Sequence, residues 1–331
     1  MKTRNESIEL LRIIAMLFIV MLHVSGAFAN SEADGSVENA LHHAFRSVCF
    51  TGVTIFAFIS GYFGVKWNGK KFFDYEMMAV TFEIFVFILT ILFVPYFSIN
   101  ASLRSLFPIS GGSHWYFSAY MFLMLLMKFL PLSAKAVSNS RLVLIMLFLF
   151  TFVIQFLFKA NGTTFLMLVE IYMIGRCLRL NPIPLIENHC GKIMMLTLSL
   201  NAALFFFAAY SKFLNGKLLQ VLANNHNPLI FISAISLFYF FKKHAFRTDF
   251  GIFCRLASYM FPVYIVHSAL YSEGCLNVYM KKNLIQDNIY ISFICWSALM
   301  FIIPIFLEVI RRKIFSQFND KLFCWILKNK G

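Results

Sequence analysis

Long apolar runs alternate along the chain with short polar, charged or Gly/Pro-containing stretches. Ten runs stand out: 8–29, 44–64, 77–98, 114–132, 142–158, 163–179, 193–211, 227–241, 256–273 and 289–310. A bilayer core about 30 Å thick takes about 20 helical residues, and the sixth and eighth runs are short for that span. No run alternates with period two, as barrel strands would. Backbone groups cannot stay unpaired in lipid, so the runs are expected to be helices. The expected fold is all-α: a polytopic integral membrane protein with about ten transmembrane helices, one membrane domain over 8–311 and a basic tail over 312–331.

Composition agrees. Of 331 residues 60% are hydrophobic and 13% charged, with 42 Phe, 16 Met and 13 Tyr, and the mean hydropathy is +0.74. A soluble domain is about 25% charged, so a soluble globule and a disordered chain are both excluded. The net charge of +14 could suggest nucleic acid, but its placement says otherwise. With the N-terminus inside, 21 of the 29 Lys and Arg fall on inner segments and seven on outer ones, Arg12 lying within the first run. That split obeys the positive-inside rule, places both termini in the cytoplasm and leaves no nucleic-acid patch to explain. Basic residues at the inner face can also meet anionic lipid or a phosphorylated ligand.

Seven cysteines lie scattered without a C-x-x-C pair, so neither a disulfide framework nor a zinc site is expected, and they read as buried small hydrophobes. No histidine pair has ligand spacing within a run, so no metal is implied. The first run has a basic start and Ala27-Phe28-Ala29 as a cleavage-like triplet. Arg12 and His23 interrupt it and nine runs follow, so it reads as a span rather than a signal peptide. Asn100-Ala-Ser and Asn161-Gly-Thr match a glycosylation pattern that is common by chance.

Ionisable groups inside a span are costly and so mark function by default. In the first run, Arg12 and His23 are eleven residues apart. At about 100° per residue that is three turns and about 20°, with a rise of about 16 Å. One stripe of one helix thus holds a permanent cation near the cytoplasm and a titratable base in the outer half. Glu9, three residues before Arg12, is placed to pair with it. The alternative is a snorkelling arginine and a satisfied core histidine. Glu83 and Glu170 are the other buried acids, Glu170 being mid-span, and His114 is expected to be solvated.

The stretch Ile8-Glu9-Leu10-Leu11-Arg12-Ile13-Ile14-Ala15, followed at the set interval by His23, resembles the opening motif of acyltransferase family 3. These are bacterial membrane proteins that O-acylate surface sugars. Residues 52–62, ending in Phe58-Ile59-Ser60-Gly61-Tyr62, resemble the family's second-helix pattern. Trp115-Tyr116-Phe117 and Tyr264-Ile265-Val266-His267 resemble two later motifs. The resemblance runs over 8–311 and is nearest the branch that modifies capsule and enterobacterial antigen. Many members have an acid where this chain has Thr54.

The resemblance implies an acyltransferase of the bacterial inner membrane, multi-pass, with acetyl-CoA as donor and no permanently bound cofactor. The acceptor would be a sugar hydroxyl of a polysaccharide or lipid-linked glycan. Arg12 and the inner basic residues Lys70, Lys71, Arg176 and Arg179 would hold CoA phosphates, the arginines through forked donors. Ser60 and Gly61 would let the thioester arm pass, or else only pack helices. His23 would be the general base on the sugar hydroxyl, with a transient acyl-histidine as the alternative. His267 would sit at a similar depth. Trp115, Tyr116 and Tyr264 would contact the sugar, or form an interfacial belt. Glu9 and Glu170 would support the site. The partners are the lipid bilayer, acyl-CoA and glycan, and a homo-oligomer stays open. The rival readings are a glycan flippase or small-molecule transporter with a polar path, and an accessory subunit of a polysaccharide synthase.

Overall fold

The structure, a computed structural model, describes residues 5–28, 35–93, 114–129, 165–211, 217–244, 246, 251–272 and 289–328. Twelve helices and no strand occur among the described residues. They fall into two compact units, one built from Met1–Val65 and Leu130–Ser258, the other from Lys66–Phe129 and Tyr259–Gly331.

The first unit holds α1 (Glu6–Phe28), α2 (Val37–Cys49), α3 (Thr51–Phe63), α6 (Phe165–Leu180), α7 (Pro184–Tyr210), α8 (Lys217–Leu222), α9 (Pro228–Lys243) and α10 (Ile252–Ala257). Local chemistry sets several boundaries. Ser36 caps α2 by accepting from the Asn39 N–H, and Asn227 caps α9 by accepting from the Leu229 N–H at 2.9 Å. Pro184 and Pro228 open α7 and α9, where a missing N–H costs nothing. α3 stops at Gly64, whose φ of +82° only glycine adopts readily. Ser7 pins the start of α1, its Oγ donating to His244 O at 2.9 Å and accepting from the Phe246 N–H at 2.8 Å.

α1 packs on α2, α3, α9 and α10, while α7 packs on α2 and α9. Two glycines bring helices into backbone contact. A Cβ on Gly52 of α3 would lie 2.6 Å from Ala15 O of α1. A Cβ on Gly61 would lie 2.5 Å from Tyr172 O of α6, and one on Gly175 of α6 would lie 2.8 Å from Tyr62 N. The small residues of the second-helix motif therefore serve close helix crossing. A polar seam joins α7 to α2 and α9: Asn201 donates to Ser47 O, Asn227 to Asn201 Oδ1, and Ser233 to Thr197 Oγ1.

The second unit holds α4 (Gly69–Phe93), α5 (Trp115–Phe129), α11 (Met260–Ser272) and α12 (Ile289–Lys328). α11 packs on both α4 and α12. The 40 residues of α12 at about 1.5 Å each extend about 60 Å, twice the apolar thickness of a bilayer. Its buried Glu308 is held by Arg311 (2.6 and 2.9 Å) and Arg312 (2.7 Å). The Arg312 guanidinium also lies over the Tyr259 ring. Such pairing removes the cost of a lone carboxylate in an apolar setting. The sequence reading passes over Glu308.

Four stretches are long and apolar enough to cross a membrane: Glu6–Gly26, Val37–Phe63, Pro184–Tyr210 and Tyr290–Trp325. Trp115–Phe129 and Met260–Leu270 are shorter apolar helices. Most expected runs become helices, with corrected bounds. The second begins at Val37 and is divided at Phe50, the third begins at Gly69, and the seventh begins at Pro184 with a non-helical His189 inside. The ninth is split into α10 and α11. Polar helical turns lengthen these elements at their wet ends, which a hydrophobic window cannot register. The tenth continues unbroken through the stretch read as a tail. The fifth run, 142–158, and both glycosylation-like sites lie outside the described residues. None of the six described cysteines forms a disulfide; three are buried, but Cys295 and Cys324 are exposed, contrary to the expectation of burial.

Candidate active site

In the first unit α1 is helical without a break from Arg12 to His23. Ile8, Leu11, Ala15, Met16, Ile19, Val20 and Val24 of this helix are buried, so α1 is enclosed on most sides. At about 100° per residue Arg12 and His23 fall on one stripe of it. Both are half-buried. Glu9, 5% exposed, accepts from Arg12 Nη1 at 3.3 Å, so the expected pair forms. Gly52 of α3 seats against Ala15, between the two stripe residues in height. Thr54, at the position where related chains often have an acid, is fully buried, and its Oγ1 has no partner among the described residues.

A basic and aromatic cluster forms where α3, α6 and α9 end. Arg179 is exposed and stacks over Tyr62 (4.9 Å) and Phe63 (5.9 Å). Arg176 Nη1 reaches the hollow beside Gly64, and the Tyr172 hydroxyl accepts from the Val65 N–H at 3.2 Å. Lys242 lies over Tyr62 and Tyr239 and pairs with Glu187 at 2.8 Å. Three cations among aromatic faces suit a phosphorylated, ring-bearing ligand. Ser60 turns its hydroxyl back to Phe56 O at 3.1 Å, and the space beside Gly61 is filled by the α6 backbone. The structure thus gives these two residues packing roles and leaves no gap there for an acyl arm. Glu170 is half-buried on α6.

In the second unit Lys70 and Lys71 are both exposed. Lys70 is bonded to Asp320 of α12 at 2.7 Å, which holds its ammonium above the usual lysine value, and Lys71 lies over Tyr75. Lys70→Ala is expected to leave the thermal midpoint of the purified protein essentially unchanged, because an exposed ion pair contributes little. The residues expected to meet the sugar do gather. Tyr116 lies 5.7 Å from Tyr264 and 5.6 Å from Trp115, and Tyr264 lies 5.8 Å from His267, between ring centres. His267 is buried, and its Nδ1 donates to Val263 O at 2.6 Å, which makes Nε2 its basic nitrogen.

His114 corrects the sequence reading. It is fully buried rather than solvated, bonded through Nε2 to Glu83 of α4 and through Nδ1 to Ser268 of α11 at 2.9 Å. Glu83 drew attention as an intramembrane acid. Ser268 gave no signal, because its partner is 154 positions away. No group of three metal-binding side chains occurs among the described residues.

The first unit thus presents an all-helical, strongly apolar assembly with an arginine and an imidazole on one stripe of its first helix. The acyltransferase domain model of acyltransferase family 3 matches residues 5–272. The chain belongs to this family and is a membrane acyltransferase. The match contains all four motifs quoted above and ends before α12. No curated protein and no solved structure matches the chain.

Proposed function

We propose that this acyltransferase moves an acetyl group from cytosolic acetyl-CoA to a sugar hydroxyl of a surface or lipid-linked polysaccharide. It would work in a bacterial inner membrane as a protein of about ten spans with both termini inside. One observation supports this most: Arg12 and His23 share one stripe of the unbroken helix α1 in a chain of this family. His23 is the general base, taking the proton of the sugar hydroxyl as its oxygen attacks the thioester carbonyl. The C–O bond forms, the C–S bond breaks, and CoA leaves as the thiol. A neutral imidazole has an unprotonated ring nitrogen to take this proton. Arg12, fixed by Glu9, holds negative charge at the inner end of the stripe.

Arg176 and Arg179 are assigned to the CoA phosphates, supported by the aromatic cluster at their feet. Arg179→Ala is expected to raise KM for acetyl-CoA about tenfold with little change in kcat, the loss of one charge-assisted contact made equally in ground and transition states. Equal KM values for variant and parent would remove Arg179 from the donor site. Trp115, half-buried, is assigned to the sugar's ring face, with the buried pair Tyr116 and Tyr264 packed behind it. The deciding experiment supplies labelled acetyl-CoA to membranes that contain or lack the protein. Label should enter glycan only with the protein; glycan left unlabelled in both would refute the assignment.

A further inference from the structure

The second unit contains a group that the reading above leaves unused. Glu83, His114 and Ser268 come from α4, the start of α5 and α11, and they meet in that order: carboxylate, imidazole, hydroxyl. Glu83 and His114 are buried, at 1% and 0% exposure, and Ser268 is the half-buried member. Glu83 Oε2 has no partner among the described residues, so this carboxylate is given to His114. With Nε2–H donating to Glu83, Nδ1 accepts from the Ser268 hydroxyl.

Helical hydroxyls usually satisfy themselves on the carbonyl one turn back. Ser60, Thr81 and Thr197 of this chain do so. Ser268 is aimed at an imidazole instead and also shares a hydrogen bond with the Tyr264 hydroxyl one turn earlier. A hydroxyl, a base and an acid that orients the base are what nucleophilic acyl transfer needs, whichever ring nitrogen faces the hydroxyl.

We propose that Ser268 is an acyl-carrying nucleophile, so that transfer runs in two half-reactions and the sugar hydroxyl meets a serine ester in place of the thioester given above; the proposal rests on acetyl-CoA being the donor. Ser268 Oγ attacks the thioester carbonyl, forming the ester C–O bond as the C–S bond breaks. Its proton passes to His114 Nδ1 and from there to the departing CoA sulfur, while Glu83 stabilises the transient imidazolium. An acceptor hydroxyl then attacks the serine ester. The acyl group moves to the acceptor oxygen, and the acceptor's proton ends on Ser268, restoring the enzyme.

The test loads purified full-length protein with labelled acetyl-CoA in the absence of glycan, then maps the label by peptide mass spectrometry. Wild type should gain one acetyl group, on Ser268. Ser268→Ala should gain none there and lose glycan transfer. His114→Gln should load about 100-fold more slowly, the lower range for losing a general base. Ser268→Cys keeps the size of the site and should trap the label as a thioester that neutral hydroxylamine cleaves, which guards against a variant that simply misfolds. His23→Ala should still load Ser268. Full glycan transfer by Ser268→Ala, or wild-type transfer with no label ever on Ser268, would overturn the relay and leave the acetyltransferase reading intact. Absence of any wild-type transfer from acetyl-CoA would overturn that reading itself.

Discussion

Replacing His23 by alanine is expected to lower acetyl transfer to glycan about 10²–10⁴-fold, the range for removing a positioned general base. The protein should still fold. His23 is half-buried and α1 is otherwise held by the buried side chains Ile19, Val20 and Val24, which the substitution leaves in place. A purified His23→Ala protein that keeps the parent's thermal midpoint and loses turnover would satisfy the expectation. Retention of full turnover would remove His23 from the chemistry. Arg12→Lys should be milder, because the charge survives while the reach of Nη1 to Glu9 does not.

The second large effect is structural. Gly61→Val is expected to destabilise the first unit by well over about 1–3 kcal/mol, the usual range for overpacking. The added Cβ would lie 2.5 Å from Tyr172 O, and that obstacle is backbone, which cannot swing aside as a flexible side chain can. Gly69→Ala is the matched control, since its Cβ would meet only the Trp67 ring, at 3.8 Å. Yield and thermal midpoint in detergent should fall sharply for Gly61→Val and barely change for Gly69→Ala. Similar behaviour of the two variants would show that α3 and α6 can separate without cost.

Patterning gave the helices, because an apolar run that must enclose its own hydrogen bonds has few other options. It placed their ends poorly. Polar residues such as Glu38, Lys70 and Asp74 lie in helical turns that extend past the apolar stretch, so α2 and α4 start earlier than hydropathy suggests. The Arg12–His23 stripe was legible because both residues ride on one helix, where spacing alone fixes the face. So was the Glu9 partner, three residues away. The Glu83–His114–Ser268 trio was not, since each member comes from a different element and only tertiary packing joins them. His114 also looked wet, because the polar stretch before it disguises a fully enclosed side chain. Gly61 was read two ways from sequence, and the close approach of α6 selects packing.

That close approach bears on how the first unit can deform during turnover. With Gly61 against Tyr172 and Gly175 against Tyr62, α3 and α6 are stapled at two points and must travel as one rigid piece. Arg176 and Arg179 ride on that piece, so the cations assigned to the donor keep a constant distance from Tyr62 whatever else shifts. Phe50 adds no joint between α2 and α3, since its backbone stays helical and its N–H bonds Arg46 O at 3.0 Å, so α2 is carried along with the stapled pair.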